Sequence, residues 1–283
     1  MLTIIGFLVV FGAVIGGFLM ENGNPLILFI PAEFVIIFGA ALGAFLISSP
    51  PSVFSNVTKN IGKIFSGKEN KKVDYLQLLT LLYQLFTKIR KEGLVSIESD
   101  IENPENSPIF KNFPSVLSNH HLVTFICDNL KVIVSTNVPA YELEGLIELE
   151  LETHHHHALI PAHSIAKVAD SLPGLGIVAA VLGVVLTMGK IDQPPAVLGH
   201  SIGAALVGTF MGVLACYGFV GPIATNLEHR ANNEIVMFQV IKVALVSFVG
   251  GSAPQMAVEF GRRAIPGNER PSFSELENTL RGK

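Results

Sequence analysis

Two apolar runs, residues 173–189 and 201–222, contain no Asp, Glu, Lys or Arg, and only the short polar stretch KIDQPPAVLGH separates them. Each is about long enough to cross a bilayer, for which roughly 20 apolar residues suffice. In hydrocarbon a chain must satisfy its own backbone hydrogen bonds, so single runs of this kind span as helices. Residues 170–222 therefore read as a membrane hairpin. Because it carries no acid, it cannot by itself bind and release a proton at mid-membrane. If it lines an ion path, the titrating carboxylate comes from another protein.

The remaining composition agrees with a membrane chain. Among 283 residues, 49% are hydrophobic and only 15% charged, and the mean hydropathy is +0.51. Two further apolar segments stand near the N-terminus, residues 2–20 and 31–47, which makes four spans. The first lacks a basic n-region and is followed closely by a second span, so it reads as a retained helix and not a secretory signal. Lys59, Lys63, Lys68, Lys71 and Lys72 follow span two and Arg230 follows span four, whereas the loop after span three has only Lys190. By the positive-inside rule both termini are expected in the cytoplasm. Cys127 and Cys216 fall in different environments and suggest no disulfide framework.

The expected organisation is all-α: residues 1–49 as spans one and two, 50–169 as a helical cytoplasmic domain, 170–222 as the hairpin, and 223–283 as a cytoplasmic helical tail. Span one carries Gly12 and Gly16, and span two Gly39 and Gly43. That spacing permits close helix approach in lipid, and it also occurs as ordinary small residues in any span. Glu33 follows Pro31 and reads as a first-turn carboxylate at a helix N-terminus near the interface, rather than as an ion site. Residues 53–65 place Val53, Val57, Ile61 and Ile64 on one face with lysines between them, the pattern of a helix lying on the membrane surface. Val73, Leu76, Leu79, Leu82, Tyr83, Phe86 and Ile89 mark a clearer helix that Gly93 stops.

That helix ends in Lys88, Arg90 and Lys91, followed closely by Glu98, Asp100, Glu102 and Glu105. On composition alone the stretch is a solvated edge, with cations favourable at a helix C-terminus. Helical patterns follow over residues 115–135 and 140–157, the second ending in His154, His155, His156 and His157. Imidazole binds zinc and nickel, yet only residues three or four apart share a helix face, so His154 and His157, with Glu150 or His163, are the most that could co-ligate. A polar, solvated run is the preferred reading, with no metal site. Beyond span four the chain continues as a helix into the cytoplasmic core, interrupted by Glu234, Gln239 and Lys242 and broken at Gly250 and Gly251. Near the end, Ser272 with Glu275 and Ser274 with Glu277 are overlapping capping boxes.

Within the hairpin the polar groups are Thr187, Ser201 and Thr209, with His200 at the outer mouth. Thr209 lies between Gly208 and Gly212, so its hydroxyl either faces a closely packed neighbour or bonds back to its own helix. Pro173 and Pro222 bracket the hairpin on its cytoplasmic side, where proline starts or kinks a helix or serves as a hinge.

The segments RKEGLVSIESDIENP, DSLPGLGIVAAVLGVV, VGTFMGVLACYGFVGPIA, AVEFGRR and ERPSFSELE, in this order, resemble the MotA stator family of bacterial flagellar motors, within the wider MotA/TolQ/ExbB group. The resemblance runs over nearly the whole chain. It implies a torque-generating unit of the inner membrane in which a ring of copies, pentameric in this reading, surrounds a dimer of the partner MotB. MotB supplies the proton-binding Asp, and the cytoplasmic domain pushes on the rotor protein FliG. By position the resemblance places rotor contacts on Arg90 and Glu98, hinge prolines on Pro173 and Pro222, and the pore-facing threonine on Thr209. Sodium-driven relatives look to have a threonine where this chain has Ala180, so proton drive is expected, with no cofactor beyond the translocated ion.

The alternatives are an ExbB- or TolQ-like energy-coupling stator and a sodium-driven stator of the same family. The size of the cytoplasmic region and the RKEG and ERPSFSELE segments argue against the first. No H-E-x-x-H arrangement is present, so a membrane metalloenzyme is disfavoured and the chain reads as a non-enzyme.

Overall fold

Helices account for the ordered architecture. The computed structural model describes residues 2–66 and 72–281, and contains no strand among them. Lys68 and Lys71 and the side chain of Lys63, all used above for orientation, lie outside the described residues, as does the side chain of Phe65. In chain order the helices are α1 Leu2–Met20, α2 Pro31–Ser48, α3 Pro51–Ser66, α4 Lys72–Glu92, α5 Glu98–Glu102 and α6 Pro114–Leu117. They continue with α7 His120–Thr136, α8 Ala140–Met188, α9 Pro195–Leu214, α10 Gly221–Val249, α11 Pro254–Ala264 and α12 Phe273–Leu280. Four helical segments are long and apolar enough to cross a membrane: Leu2–Met20, Pro25–Ser48, Ala140–Met188 and Pro195–Val249. These contain the four spans expected from sequence.

Two compact units divide the chain, Met1–Lys68 with Ala158–His229, and Glu69–His157 with Arg230–Lys283. Two of the three boundaries fall inside helices, one in α8 and one in α10. The helical pattern expected to end near residue 157 instead runs on, so α8 extends unbroken for 49 residues through Pro161 and Pro173. Each proline removes one backbone donor, which long helices tolerate where neighbouring groups re-satisfy the freed carbonyl.

In the first unit, Pro31 opens α2 at a position whose N–H would be unsatisfied anyway. The glycine pairs of α1 and α2 make no close approach: a Cβ at Gly12, Gly16, Gly39 or Gly43 would meet nothing within 4 Å. Tight packing lies elsewhere, on α8 and α9. The apolar face of α3 does not lie open to a membrane surface. Val57 and Ile64 are buried with Phe45, Ile165, Ala224 and Leu227, because α2, α8 and α10 together offer that face a protein surface.

The second unit is built around α4. Leu78, Leu82 and Phe86 are fully buried, and each such side chain contributes about 1.5–3 kcal/mol through burial. Phe86 stacks on Phe248 at 4.4 Å, and Phe125 meets Phe238 edge-on at 5.0 Å. Gly93 ends α4 at φ +90°, a conformation that glycine adopts without steric cost. The helix expected over residues 115–135 is split in two, because the Asn119 side chain accepts the Leu122 N–H at 3.2 Å and starts α7 afresh. Lys242 pairs with Glu148 and, at 3.9 Å, with Glu144. Of the two capping boxes, Ser272 with Glu275 is complete. Ser272 Oγ accepts from Glu275 N at 3.2 Å, and Ser272 N donates back at 2.6 Å. Glu277 instead pairs with Arg281 at 2.6 Å.

Candidate functional site

The hairpin is held by backbone meeting backbone. A Cβ on Gly176 of α8 would lie 2.8 Å from the Gly208 carbonyl oxygen, 3.1 Å from Gly212 Cα and 3.3 Å from Thr209 Cα. One on Gly212 would lie 2.5 Å from the Leu172 carbonyl oxygen, and one on Gly183 would lie 2.7 Å from Ala205 Cβ. Only glycine permits this approach, and close approach is what drives helix association where no hydrophobic force acts between helices.

Thr209 sits on this seam, half-buried, and its hydroxyl makes no hydrogen bond among the described residues. Thr187 does bond to its own helix, its hydroxyl donating to the Gly183 carbonyl at 2.8 Å. Ala179 packs on Gly208, while its neighbour Ala180 is half-buried. Pro173 lies within α8, one residue past Leu172 and therefore beside the tightest contact. Pro222 is exposed and follows a π-helical turn, Ala215–Val220, which sequence pattern did not reveal. There the Gly221 N–H donates to the Cys216 carbonyl, five residues back. The wider turn re-routes the backbone donors just before a residue that has none.

Glu33 requires a correction. It does lie in the first turn of α2, but its carboxylate is not at a solvated interface. The residue is 6% exposed and its Oε2 has no hydrogen-bond partner. A Cβ on Gly208 would lie 3.1 Å from Glu33 Cδ and closer still to Oε2. Gly208 stands seven residues into the apolar run 201–222, about 10 Å along its axis at about 1.5 Å per residue. A carboxylate of this chain thus reaches into the apolar part of span four. An ionisable residue within an apolar span marks a functional site by default.

Toward the other end of the hairpin a cavity of about 650 Å³ opens between α8 and the π turn with α10, lined by His163, Asp170, Cys216, Tyr217, Pro222 and His229 among others. Pro222, Asp170, His163 and His229 therefore share one cavity.

The charged stretch after α4 separates into two classes. Lys88 donates to Asp100 at 2.8 Å, and Ser107 hydroxyl donates to the other Asp100 oxygen at 2.6 Å, with the Asp100 side chain only 3% exposed. This buried pair fastens α5 to α4. Arg90 and Glu98, by contrast, are exposed and form no ion pair among the described residues. They are free to meet another protein.

The histidine run is only half solvated. His156 and His157 are exposed, whereas His154 packs on Phe238 at 4.6 Å and lies 6.2 Å from His121. Burial pushes the His154 imidazole below its ordinary value, with Glu234 opposing the shift. Glu150 accepts from Asn129 Nδ2 at 3.1 Å. Among the described residues, no group of three or more His, Cys, Asp or Glu is arranged to hold a metal. The Cys127 thiol is pushed up to about 11 by burial, which keeps it protonated and inert.

The family described as Motility protein A N-terminal matches residues 4–93, and the MotA/TolQ/ExbB proton channel family matches residues 118–240. Motility protein A of Salmonella typhimurium and that of Escherichia coli are each 45% identical to this chain over 281 residues, covering 99% of it and 95% of the relative. The solved structure of C. jejuni MotAB shares the fold, with a TM-score of 0.79 at 20% identity over 96% of this chain and 98% of that one. On sequence and fold together, the chain belongs to the motility protein A family.

Proposed function

We propose that this chain, by its family a multi-pass stator subunit of a bacterial flagellar motor, couples proton passage across the inner membrane to rotor rotation. It works with a MotB-like partner whose single span carries the proton-binding Asp. Copies of the chain form a ring, pentameric in this proposal, around a dimer of that partner, with both termini in the cytoplasm. Thr209 faces the ion path, and Pro173 and Pro222 act as hinges. Arg90 and Glu98 meet the rotor protein FliG.

The observation that carries this reading is the continuity of the hairpin. Span three is the distal part of one 49-residue helix, α8, and span four continues through the π turn into α10. A change at Pro173 or Pro222 therefore moves helices whose other ends belong to the second unit, which bears Arg90 and Glu98. The energies are commensurate. One charge crossing the membrane releases about 2.3 kcal/mol per 100 mV, whereas an exposed ion pair is worth about 0.2–1 kcal/mol. One ion can thus break and remake a rotor contact.

Proton drive is favoured over sodium because Ala180 offers no hydroxyl where a dehydrated cation would need a ligand. The test is expression in motile cells stripped of their own stator, together with the partner. Swimming should return, collapse with a protonophore and ignore sodium. Speed that tracks sodium overturns the proton assignment, and failure to copurify a one-span partner bearing an Asp overturns the assembly.

A further inference from the structure

We propose that Glu33 is a second proton-binding group on the ion path, supplied by this chain and acting beside Thr209; this inference rests on the stator reading above. Glu33 is more than nine-tenths buried and its Oε2 lacks a partner. It is aimed at Gly208, the residue before Thr209, and Ala179 closes the other side of that contact. An ionised carboxylate without a partner in such a place costs several kcal/mol. Among the described residues no ion pair or hydrogen bond of the Glu33 side chain offsets that cost. Neither apolar run of the hairpin holds a charged residue, Thr209 is the one side-chain hydroxyl adjoining Gly208, and the acid nearest in sequence, Glu21, is exposed beyond α1.

The group must therefore hold a cation for part of its cycle. A metal ion would need several further oxygens, but the contact is made with the Gly208 backbone and the Ala179 methyl, and most helix carbonyls are already engaged. A proton needs one oxygen only. It comes from water on the outer side and forms the O–H bond of the neutral acid. It leaves for the next acceptor on the path, restoring the carboxylate. The missing room is informative too. Gly208 lacks the Cβ that would overlap the Glu33 carboxylate, so glycine leaves that carboxylate room where it stands.

Such a relay governs how fast protons arrive and leaves the energy per proton unchanged. The decisive variants are Glu33→Gln, which keeps size and hydrogen bonding but cannot titrate, and Glu33→Asp, which titrates from a shorter stem. Each is expressed with the partner in stator-less cells and scored for copurification of the partner, low-load rotation speed, stall torque, and proton influx across external pH. Glu33→Gln should copurify the partner normally and keep near-normal stall torque. Its low-load speed and influx should fall several-fold, with a changed dependence on external pH, and Glu33→Asp should recover part of both. Unchanged low-load speed and pH profile in Glu33→Gln overturn the proposal. So does joint loss of copurification and stall torque in Glu33→Gln, which would make Glu33 a packing residue. If the unaltered chain fails to restore rotation, the stator reading falls and this inference with it. Loss confined to the variants bears on Glu33 alone.

Discussion

Gly212→Ala puts the hairpin seam under direct test. The added methyl would stand 2.5 Å from the Leu172 carbonyl oxygen and 2.9 Å from Gly176 Cα, both backbone atoms that no rotamer change can move. Carbon atoms rest at about 3.5–4.0 Å, so α8 and α9 must part by about 1 Å, and a gap of that size forfeits about a quarter to a half of each lining contact. Overpacking of this kind costs about 1–3 kcal/mol. Against it stands the helix propensity of alanine, about 1 kcal/mol better than glycine. The steric cost should prevail. Gly39→Ala is the control, because a methyl there meets nothing within 4 Å and keeps only the propensity gain. Thermal unfolding of the purified protein, followed by far-ultraviolet circular dichroism, should place Gly212→Ala several degrees below Gly39→Ala, at about 2–4 °C per kcal/mol. A Gly212→Ala protein at least as stable as the control would refute the backbone contact.

Within one charged stretch, structure and torque should separate. Lys88→Ala strands the buried Asp100 carboxylate with only the Ser107 hydroxyl and should cost about 3–5 kcal/mol of stability. Arg90→Glu or Glu98→Lys should shift stability by no more than about 0.5 kcal/mol yet abolish swimming in a soft-agar assay, and normal swimming would remove the rotor assignment. His154, whose imidazole burial holds below its ordinary 6.5, predicts a pH dependence. The unfolded chain takes up the proton first, so stability is complete above about pH 6.5 and falls as pH drops through the folded value, and His154→Asn should flatten melts compared between about pH 7.5 and 5.5. Lys72, with the Ser272 cap, holds the Glu275 carboxyl down to about 2. That contribution is present above the ordinary carboxylate range and lost as pH falls toward 2; Glu275→Gln should speed hydrogen exchange in α12 at neutral pH.

How much of this was legible depended on which force dominated. The four spans follow from hydrophobicity and the absence of charge, and the resemblance singled out Arg90, Glu98 and the hairpin wall. What stayed hidden is set by tertiary contact. Lys88 and Arg90 look alike in sequence, and only the burial of Asp100 assigns one to the core and leaves the other exposed. Gly12 and Gly212 each stand four residues from another glycine, and only the second meets a neighbour. Glu33 looked like a first-turn acid because the depth of α2 against α9 is a matter of packing, not of local pattern. The π turn before Pro222 has no composition signature of its own.

The unbroken length of α8 has a consequence for how such a chain can change. In a helix each residue advances the side-chain direction by about 100° and the axis by about 1.5 Å. One residue inserted between Ala158 and Leu172 would therefore leave both ends folded while turning Gly176, Ala179 and Gly183 away from α9 by more than a quarter of a circle. Loops such as the one around Lys190 can drift in length, but α8 is locked in phase. Insertions and deletions there should be tolerated only in combinations that return the small-residue edge to the same bearing.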